Sequence, residues 1–583
     1  MAPYQRPVGE GPQLNGAQAV FSMARGRTLL SSLFYRTSAA PLPAVAALSL
    51  FMNLFWLWWG LPNGPHTWAT DAIGPLQPLV AAKAMFLDDW WNSGYYNKFP
   101  MGHFFVLMAV YTPYIVYLYL TGGLANPTND YPYGLSDPET ALTVLSLLAN
   151  ATSALMGVGI VILIFLTARM LFGQRGAVLS ALTIALSPPF IFYAHTSNVD
   201  TPHLFWCALG LFAFARLVNG EVELKNYLLL GFGAGMALGT KEQAYGLFIL
   251  LPFPILALHI RHHLKGELQP AGFVRLLFDR KILWGFGISV LTFVLATHLI
   301  FNWDGNIERL LYRTTDVHPK WQEGYPGAPQ LRGMGTSLFL ERWKETIILL
   351  SASMNPVLFI ASLAGLVYFP YKERWAPPFV VALCSYLFFV ALQLSFIKTR
   401  FVMELILVLA LFCGRFLAGV WSWSRGRRWA VAAYGLMWLY AFAYGFNVNY
   451  LMMRDARYQA EAWIRANLPA GARVETYSQP AYLPRLPRAV NSYRTEFDDQ
   501  TVSSLSARSP DYVILTGAQY SRFEEGSPQK QLLDRLLRGD FGYRSVQRFS
   551  TEPLLGPNLI PGLSPEIIVL EKRPTLQTQV SAR

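Results

Sequence analysis

The sequence predicts a mainly α protein: a polytopic transmembrane helical bundle of about eleven spans, followed by a small C-terminal α/β domain. Of the 583 residues, 53% are hydrophobic and only 14% are charged. A soluble protein would carry about a quarter charged residues. The apolar residues fall in runs close to the length that crosses a bilayer, about 20 residues. After residue 450 this pattern gives way to an amphipathic helix and short strands.

The individual spans follow from apolar runs that Gly-Pro breaks and charged connectors separate. They are predicted at residues 43–61, 140–166, 177–195, 201–217, 227–240, 244–260, 282–301, 346–369, 377–396, 401–420 and 429–447. The stretch 100–121 is long enough to be another span. Because 121–140 contains no Lys or Arg, the positive-inside rule places it outside. We therefore expect 100–121 to return to the outer surface without crossing.

Basic residues set the predicted sidedness. The N-terminal segment and the connectors rich in Lys and Arg are expected in the cytoplasm, and no cleaved signal peptide is evident. The protein is expected in the plasma (inner) membrane, with a cytoplasmic N-terminus and an extracytoplasmic C-terminal domain. The predicted division is a cytoplasmic segment 1–40, a transmembrane domain 41–450 with outer loops 62–100 and 302–345, and a soluble outer domain 451–583.

The soluble domain is predicted from a change of pattern along the chain. The stretch DARYQAEAWIRANLPAG is typical of an amphipathic helix closed by Pro and Gly. The stretches RVETYS, DYVILTG and EIIVLEK are typical of short strands. Together they predict a small α/β fold outside the membrane.

Composition and motifs exclude several functions. The net charge is +12, but the basic residues lie mainly between apolar runs as topology signals, so no nucleic-acid partner is expected. The three cysteines lie inside apolar runs without disulfide or metal spacing. There is no Walker loop, dinucleotide-binding glycine pattern, HExxH or GxSxG motif, so no nucleotide cofactor is expected.

Asp71 is the first candidate for a functional residue. It lies in WATDAIGPLQP, residues 68–78, just beyond the first predicted span. Ionisable groups at or near membrane depth are functional hypotheses by default, although a solvated loop acid is the simpler alternative. Asp88 and Asp89 favour the simpler alternative, because they resemble an exposed helix end.

Three cations on the predicted outer face are candidates for binding an anion. Lys98 precedes a Pro at a helix start, and Lys241 lies between two apolar spans. Arg400 lies at an outer boundary, where cations oppose the positive-inside tendency and where Arg suits bidentate phosphate binding. The alternatives are a snorkelling Lys98, pairing of Lys241 with Glu242, and pairing of Arg400 with Glu404.

His195 and Asp200 form a further candidate pair, in HTSNVDTP. They could shape the acceptor side of a site or contribute to a divalent metal site, although two ligands are a weak signal. The alternative for Asp200 is a helix N-cap, since Thr and Pro follow it directly.

These segments, in their order, resemble the GT-C glycosyltransferases that use polyprenyl-phosphate sugars, such as the protein O-mannosyltransferases and the aminoarabinose transferase of lipid A. The resemblance covers roughly residues 40–450. Asp71 stands where that family keeps its essential acid, although Ala72 replaces the second acid often found there. The other matching segments are NKFPMGHF (97–104), TARMLFGQRGAVLSALTIALSP (167–188), NVDTPHLFWCALGLFAFARL (198–217), GMALGTKEQAYGLFILLP (235–252) and KTRFVMEL (398–405).

The resemblance implies a mechanism and its partners. Asp71 would be the general base of an inverting transfer of a sugar from a polyprenyl-phosphate donor, and Lys98, Lys241 and Arg400 would bind the donor phosphate. The acceptor would be a protein, lipid or glycan, with membrane lipids as further partners. Some members of the family use a divalent metal and others do not, so a metal is left open.

Two other functions remain as alternatives at this stage. A transporter or flippase would also carry buried charges and Gly/Pro-interrupted helices, but the chain shows no inverted repeat and its polar residues cluster on one face. A structural membrane protein that binds through its tail would leave the charged outer loops unexplained.

Overall fold

The structure is a computed structural model that describes residues 41–61, 67–128, 130–263, 279–314, 336–394, 397–424, 427–495, 500–520, 523 and 526–573. The described residues from Leu42 onward belong to one compact unit. The predicted N-terminal segment 1–40 lies outside the described residues, and so does the part 315–335 of the predicted outer loop 302–345.

Helices account for most of the described part of the first 450 residues. The first eight are α1 Pro41–Leu54, α2 Gln77–Ala82, α3 Gly102–Leu120, α4 Pro138–Phe172, α5 Gln174–Ala185, α6 Pro188–Ala194, α7 Asp200–Val218 and α8 Leu224–Thr240. They are followed by α9 Tyr245–Phe248, α10 Pro252–His263, α11 Arg280–Ala296, α12 Trp303–Thr314, α13 Thr336–Met354, α14 Pro356–Tyr368, α15 Ala376–Tyr386, α16 Met403–Ser424 and α17 Arg428–Met453.

Six helical runs among the described residues are long and apolar enough to cross a membrane. They are Gly102–Leu120, Pro138–Phe172, Asp200–Val218, Glu242–Ile260, Met403–Ser424 and Arg428–Asn467. The number rises to eight if each of two bent pairs is one span. The protein is therefore a polytopic membrane protein, but the predicted count of about eleven spans is not confirmed.

The difference in count has a local cause. Several predicted spans are interrupted by Pro, which lacks a backbone donor and ends or bends a helix. α5 and α6 meet at 64° next to Pro188, and the pair that α13 and α14 form is bent by 115° next to Pro356. Residues 43–61 give only the 14-residue α1. Residues 100–121 contain one 19-residue helix, α3, which is a candidate span by length and composition, and their return to the outer surface stays a prediction.

Close contacts between small residues pack α8 against α11. α8 presents Gly231, Gly235 and Gly239 on one face, and α11 packs against that face. A Cβ on Gly235 would lie 2.6 Å from the carbonyl oxygen of Ser289, so a larger residue does not fit. Membrane helices use small residues in this spacing to approach closely, because lipid supplies no hydrophobic drive between them.

The C-terminal part forms a five-stranded sheet with flanking helices. Its strands are β1 Arg473–Thr476, β2 Asn491–Arg494, β3 Tyr512–Thr516, β4 Tyr543–Phe549 and β5 Ile567–Lys572. Its helices are α18 Ala456–Asn467, α19 Val502–Arg508, α20 Gly517–Tyr520 and α21 Pro528–Arg538. The strand order is β2-β1-β3-β5-β4, with β1 parallel to β2 and β3, and β5 antiparallel to β3 and β4.

Both faces of this sheet are covered by apolar side chains. Val513, Leu515 and Leu570 belong to one apolar cluster, and Ile514 and Val569 belong to another. Side chains alternate between the faces of a strand, so β3 and β5 contribute to both clusters. The sheet and its helices thus form the predicted small α/β fold.

Candidate active site

Asp71 lies in the loop between α1 and α2, and its backbone is held in an unusual conformation. Its φ is +58°, the left-handed region that costs a non-glycine residue free energy and that Asp tolerates better than most. The turn between α6 and α7 fixes the neighbouring backbone. Asn198 Nδ2 donates to the carbonyl of Thr70 at 2.9 Å, and Ser197 Oγ donates to the carbonyl of Ile73 at 2.8 Å. The surrounding structure therefore determines where the Asp71 carboxylate points.

The Asp71 carboxylate lies between two cations. Lys98 Nζ donates to Oδ1 at 2.6 Å, and Arg400 Nη1 donates to Oδ2 at 2.7 Å. The side chain of Asp71 is 27% exposed, that of Arg400 is 13% exposed and that of Lys98 is 48% exposed. The group is accessible from solvent on the Lys98 side and enclosed on the Arg400 side.

The two cations control the ionisation of Asp71. Burial on its own would raise the pKa of this carboxyl, but Arg400 and Lys98 hold the pKa well below its usual range. Burial would lower the pKa of the Arg400 guanidinium, but Asp200 and Asp71 raise it above its usual value. In this arrangement Asp71 is a carboxylate with little tendency to take up a proton.

Asp200 and Lys241 form a second, buried pair beside the first. Lys241 Nζ donates to Asp200 Oδ1 at 2.6 Å, with side-chain exposures of 7% and 1%. Asp200 is the first residue of α7 and makes no side-chain cap, because its carboxylate is directed to Lys241. Lys241 pairs with Asp200 and not with its neighbour Glu242, which contacts Arg309 Nε at 3.1 Å.

Phe401 joins the two pairs. Lys241 Nζ lies 5.3 Å and the Arg400 guanidinium 5.1 Å from the centre of its ring, distances at which a cation is attracted to an aromatic face. A Cβ on Gly102 would lie 2.6 Å from the carbonyl oxygen of Gly239, so the start of α3 packs directly on the end of α8. This contact brings the segment of Lys98 next to that of Lys241.

The structure thus brings together five of the six residues predicted from the sequence: Asp71, Lys98, Asp200, Lys241 and Arg400. His195 lies elsewhere. Its two ring nitrogens are each 2.7 Å from a backbone carbonyl oxygen, Nδ1 from that of Ile191 and Nε2 from that of Phe55. In this position His195 joins α6 to the residue after α1, and both ring nitrogens are engaged.

A buried polar network next to Lys241 is not apparent from the sequence. His203 Nε2 and Gln243 Nε2 both lie 2.6 Å from Glu404 Oε1, and Gln243 also contacts Tyr386 Oη at 3.1 Å. Glu404 pairs with His203 and not with Arg400. One feature of the sequence could have indicated that His203 lies near Asp200. The two residues are three positions apart on one helix, and this spacing places both on one face.

Several polar atoms around these pairs make no hydrogen bond within the described ranges. They are Arg400 Nε, Thr201 Oγ1, Thr240 Oγ1, His203 Nδ1 and Glu404 Oε2. Buried polar groups normally have partners, so each of these atoms could take one from a bound ligand. Arg400 Nε and the two hydroxyls are donors that an anion can accept from.

The described residues contain no group of three or more His, Cys, Asp or Glu side chains that could hold a metal ion. The carboxylates of Asp71 and Asp200 are both engaged by cations. Such a site suits an anion better than a divalent cation.

Comparison with known proteins gives one match to a family model. Residues 143–278 match the model described as dolichyl-phosphate-mannose-protein mannosyltransferase. The matched residues include Asp200, His203 and Lys241. Comparison with curated proteins gives no significant match.

Comparison with solved structures gives further matches, all at low identity. One is the Archaeoglobus fulgidus oligosaccharyltransferase in complex with Zn and sulfate, at 13% identity and TM-score 0.46 over 90% of this chain and 73% of that one. Another is ArnT from Cupriavidus metallidurans bound to undecaprenyl phosphate, at 14% identity and TM-score 0.43 over 91% and 97%. The S. cerevisiae protein O-mannosyltransferase Pmt1–Pmt2 complex bound to the sugar donor follows at 17% identity and TM-score 0.33 over 47% and 35%.

The molecule is therefore an integral membrane protein with a cation-lined polar site. Over residues 143–278 it is similar to the protein mannosyltransferase family, and the resemblance inferred from the sequence is confirmed there.

Proposed function

We propose that the protein is a membrane glycosyltransferase that moves a sugar from a polyprenyl-phosphate donor to an acceptor hydroxyl, with inversion at the anomeric carbon. The observation that carries this proposal is the Asp71 carboxylate held between Lys98 and Arg400. A carboxylate and phosphate-binding cations are the reagents such a transfer needs. The description of the matched family supports a lipid-phosphate sugar as donor.

The donor phosphate is assigned to Lys98, Lys241 and Arg400. Negative charge develops on the phosphate as the sugar leaves, and preorganised cations stabilise that charge where water is excluded. Arg400 has an Nε donor that makes no hydrogen bond in the described structure, and its planar guanidinium can bind two phosphate oxygens. Lys241 is held in place by Asp200 and therefore needs little ordering when the donor binds.

The transfer is a single displacement in this proposal. The acceptor oxygen forms a bond to the anomeric carbon while the bond from that carbon to the phosphate oxygen breaks. The polyprenyl phosphate leaves with the electron pair, and the hydroxyl proton passes to Asp71. Attack on the face opposite the leaving group inverts the configuration.

Donor binding and base activation are coupled in this scheme. A base with a strongly lowered pKa is a poor proton acceptor, and Lys98 and Arg400 lower the pKa of Asp71. The donor phosphate competes with Asp71 for the same two cations. As the phosphate takes over these contacts, the pKa of Asp71 rises, and the carboxylate becomes a better base only when a donor is present.

Turnover of defined donors tests the proposal. Full-length protein in detergent is supplied with a panel of polyprenyl-phosphate sugars, and release of polyprenyl phosphate is followed. The wild type is expected to release it, and Asp71→Asn to release at least about a hundredfold less. The matched control is Asp88→Asn in the same predicted outer loop 62–100, since Asp88 is exposed and pairs with Lys83.

Two results would contradict parts of the proposal. Undiminished release by Asp71→Asn would remove Asp71 as the base and leave the class intact. Movement of an intact labelled lipid across vesicles, without release from any donor, would favour the transporter alternative.

A further inference from the structure

We infer that the C-terminal domain positions Asp71, and that Arg457 and Trp68 are the residues through which it does so. The inference rests on the proposed function of Asp71. It concerns the stretch 67–73, here called the Asp71 loop. The domain packs on this loop at the first turn of α18.

Arg457 is fully buried and fully engaged. Its Nε and Nη2 donate to Asp455 Oδ1 and Oδ2 at 2.9 and 2.7 Å, and Nη2 also donates to the carbonyl of Gly562 at 3.1 Å. Both side chains of the Arg457–Asp455 pair have no exposed surface. A buried ion pair of this kind fixes a geometry, because loss of either partner leaves an uncompensated charge.

This buried pair contacts two tryptophans, Trp59 and Trp68, of the predicted membrane domain. The Arg457 guanidinium lies 4.1 Å from the centre of the Trp68 ring and 5.3 Å from that of Trp59. Trp59 Nε1 donates to Asp455 Oδ2 at 3.0 Å. Trp68 is fully buried, and the Tyr458 ring lies 4.8 Å from it.

The Trp68 anchor is three residues from Asp71. The α6–α7 turn holds the same loop on both sides of Asp71, since Asn198 donates to the carbonyl of Thr70 before it and Ser197 donates to that of Ile73 after it. Asp71 therefore keeps its left-handed backbone between two fixed points, one supplied by the C-terminal domain and one by the α6–α7 turn. A conformation of this kind persists only where its surroundings determine it.

Two of the donor-binding cations, Lys98 and Arg400, contact Asp71 itself, but the cations are attached to other elements of the fold. Lys98 precedes α3, Lys241 follows α8 and Arg400 precedes α16, and none of the Arg457 or Trp68 contacts described above involves them. Loosening the anchor should therefore displace the base while leaving the phosphate contacts in place. Because the donor phosphate competes with Asp71 for Lys98 and Arg400, the kinetic signature is a lower kcat without a rise in the KM for the donor.

The test compares variants of the full-length protein. Trp68→Leu keeps an apolar side chain and removes the aromatic face, and it is expected to lower kcat between about tenfold and a hundredfold without a rise in donor KM. Trp68→Phe, which restores a ring, is expected to recover most of kcat. Arg473→Met is the control, since Arg473 is an exposed residue of β1 that pairs with Asp511.

A second measurement does not depend on turnover. Amide hydrogen exchange of the Asp71 loop is expected to accelerate in Trp68→Leu and in Arg457→Lys, but not in Arg473→Met. If the wild type turns over no donor, the proposed function fails while exchange still tests the anchor. An unchanged exchange rate with unchanged kcat, or a rise in donor KM alone, would overturn the inference. If Trp68→Leu does not fold, the kinetics and the amide hydrogen exchange are measured on Arg457→Lys and Trp68→Phe instead.

Discussion

Arg400 Nη1 lies 2.7 Å from Asp71 Oδ2, although 329 positions separate the two residues along the chain. The contact joins the loop after the first helix to the segment before α16. In the free protein the Asp71 carboxylate is the partner of this guanidinium. On our proposal, the donor phosphate competes with that carboxylate for the guanidinium once the donor binds.

Replacing Arg400 should affect donor use most strongly. Arg400→Met removes the enclosed cation that faces the developing phosphate charge, and kcat/KM is expected to fall by about a hundredfold. Release of polyprenyl phosphate at several donor concentrations measures the change. Arg544→Met, an exposed change in β4, should leave kcat/KM at the wild-type value. Equal effects of the two substitutions would argue against phosphate binding by Arg400.

Lys98 should set the acid limb of the pH profile. Lys98 helps to hold the pKa of Asp71 well below its usual range, so Asp71 stays ionised across the usual assay range. In Lys98→Met the pKa of Asp71 rises, and activity that needs the carboxylate is lost as pH falls through this higher value. The profile of kcat/KM reports the free enzyme and is the measurement to make. An acid limb that stays in place, or moves to lower pH, would contradict the assignment.

The Asp200–Lys241 pair should behave as a buried ion pair. Either Asp200→Asn or Lys241→Met leaves one partner buried without compensation, which costs about 3 kcal/mol or more of folding free energy. The double variant removes both charges and is expected to be more stable than either single variant. Thermal unfolding of all four proteins gives the coupling energy. Strictly additive losses would show that the two residues do not interact.

Gly102 should tolerate no larger side chain. A Cβ at this position meets the Gly239 carbonyl at 2.6 Å, so Gly102→Ala forces α3 away from α8 and costs about 1–3 kcal/mol. Because α3 follows Lys98, donor turnover should fall as well. Gly287→Ala is the matched control, since its Cβ would meet no atom within 4 Å. Thermal unfolding and donor turnover are measured for both variants. Equal stabilities of Gly102→Ala and Gly287→Ala would contradict the close packing of α3 on α8.

The sequence was informative where a residue type conflicts with its surroundings. Charged residues stand at the ends of several apolar runs, and this conflict makes them candidates for a functional site without any structure. They are Asp71, Lys98, Lys241 and Arg400. Their partners could not be predicted in the same way. Lys241 has an acid beside it in Glu242, yet it pairs with Asp200, 41 positions away, because the ends of α7 and α8 meet in the fold.

Other differences also have a physical origin. The ring of His195 is directed to the carbonyl of Phe55, a backbone group that no side-chain pattern reveals. β2 has the sequence NSYR, largely exposed and without the apolar alternation that predicts a strand. The strands RVET, YVILT and IIVLEK carry that signal and match β1, β3 and β5. The predicted return of 100–121 to the outer surface rests on the charge of one connector and stays a prediction, because α3 is a candidate span by length and composition only.

The contact between Trp59 and Asp455 has a consequence for how the protein is made. The two residues are 396 positions apart, so at usual rates of synthesis on the order of 20 to 80 seconds pass between their appearance on the ribosome. During that interval the nascent chain carries its acid without the domain that orients it. A chain that is still being translated, or one cut short before residue 455, is on this view catalytically silent. On our proposal, synthesis of the C-terminal domain is thus required before the protein can become active in the membrane.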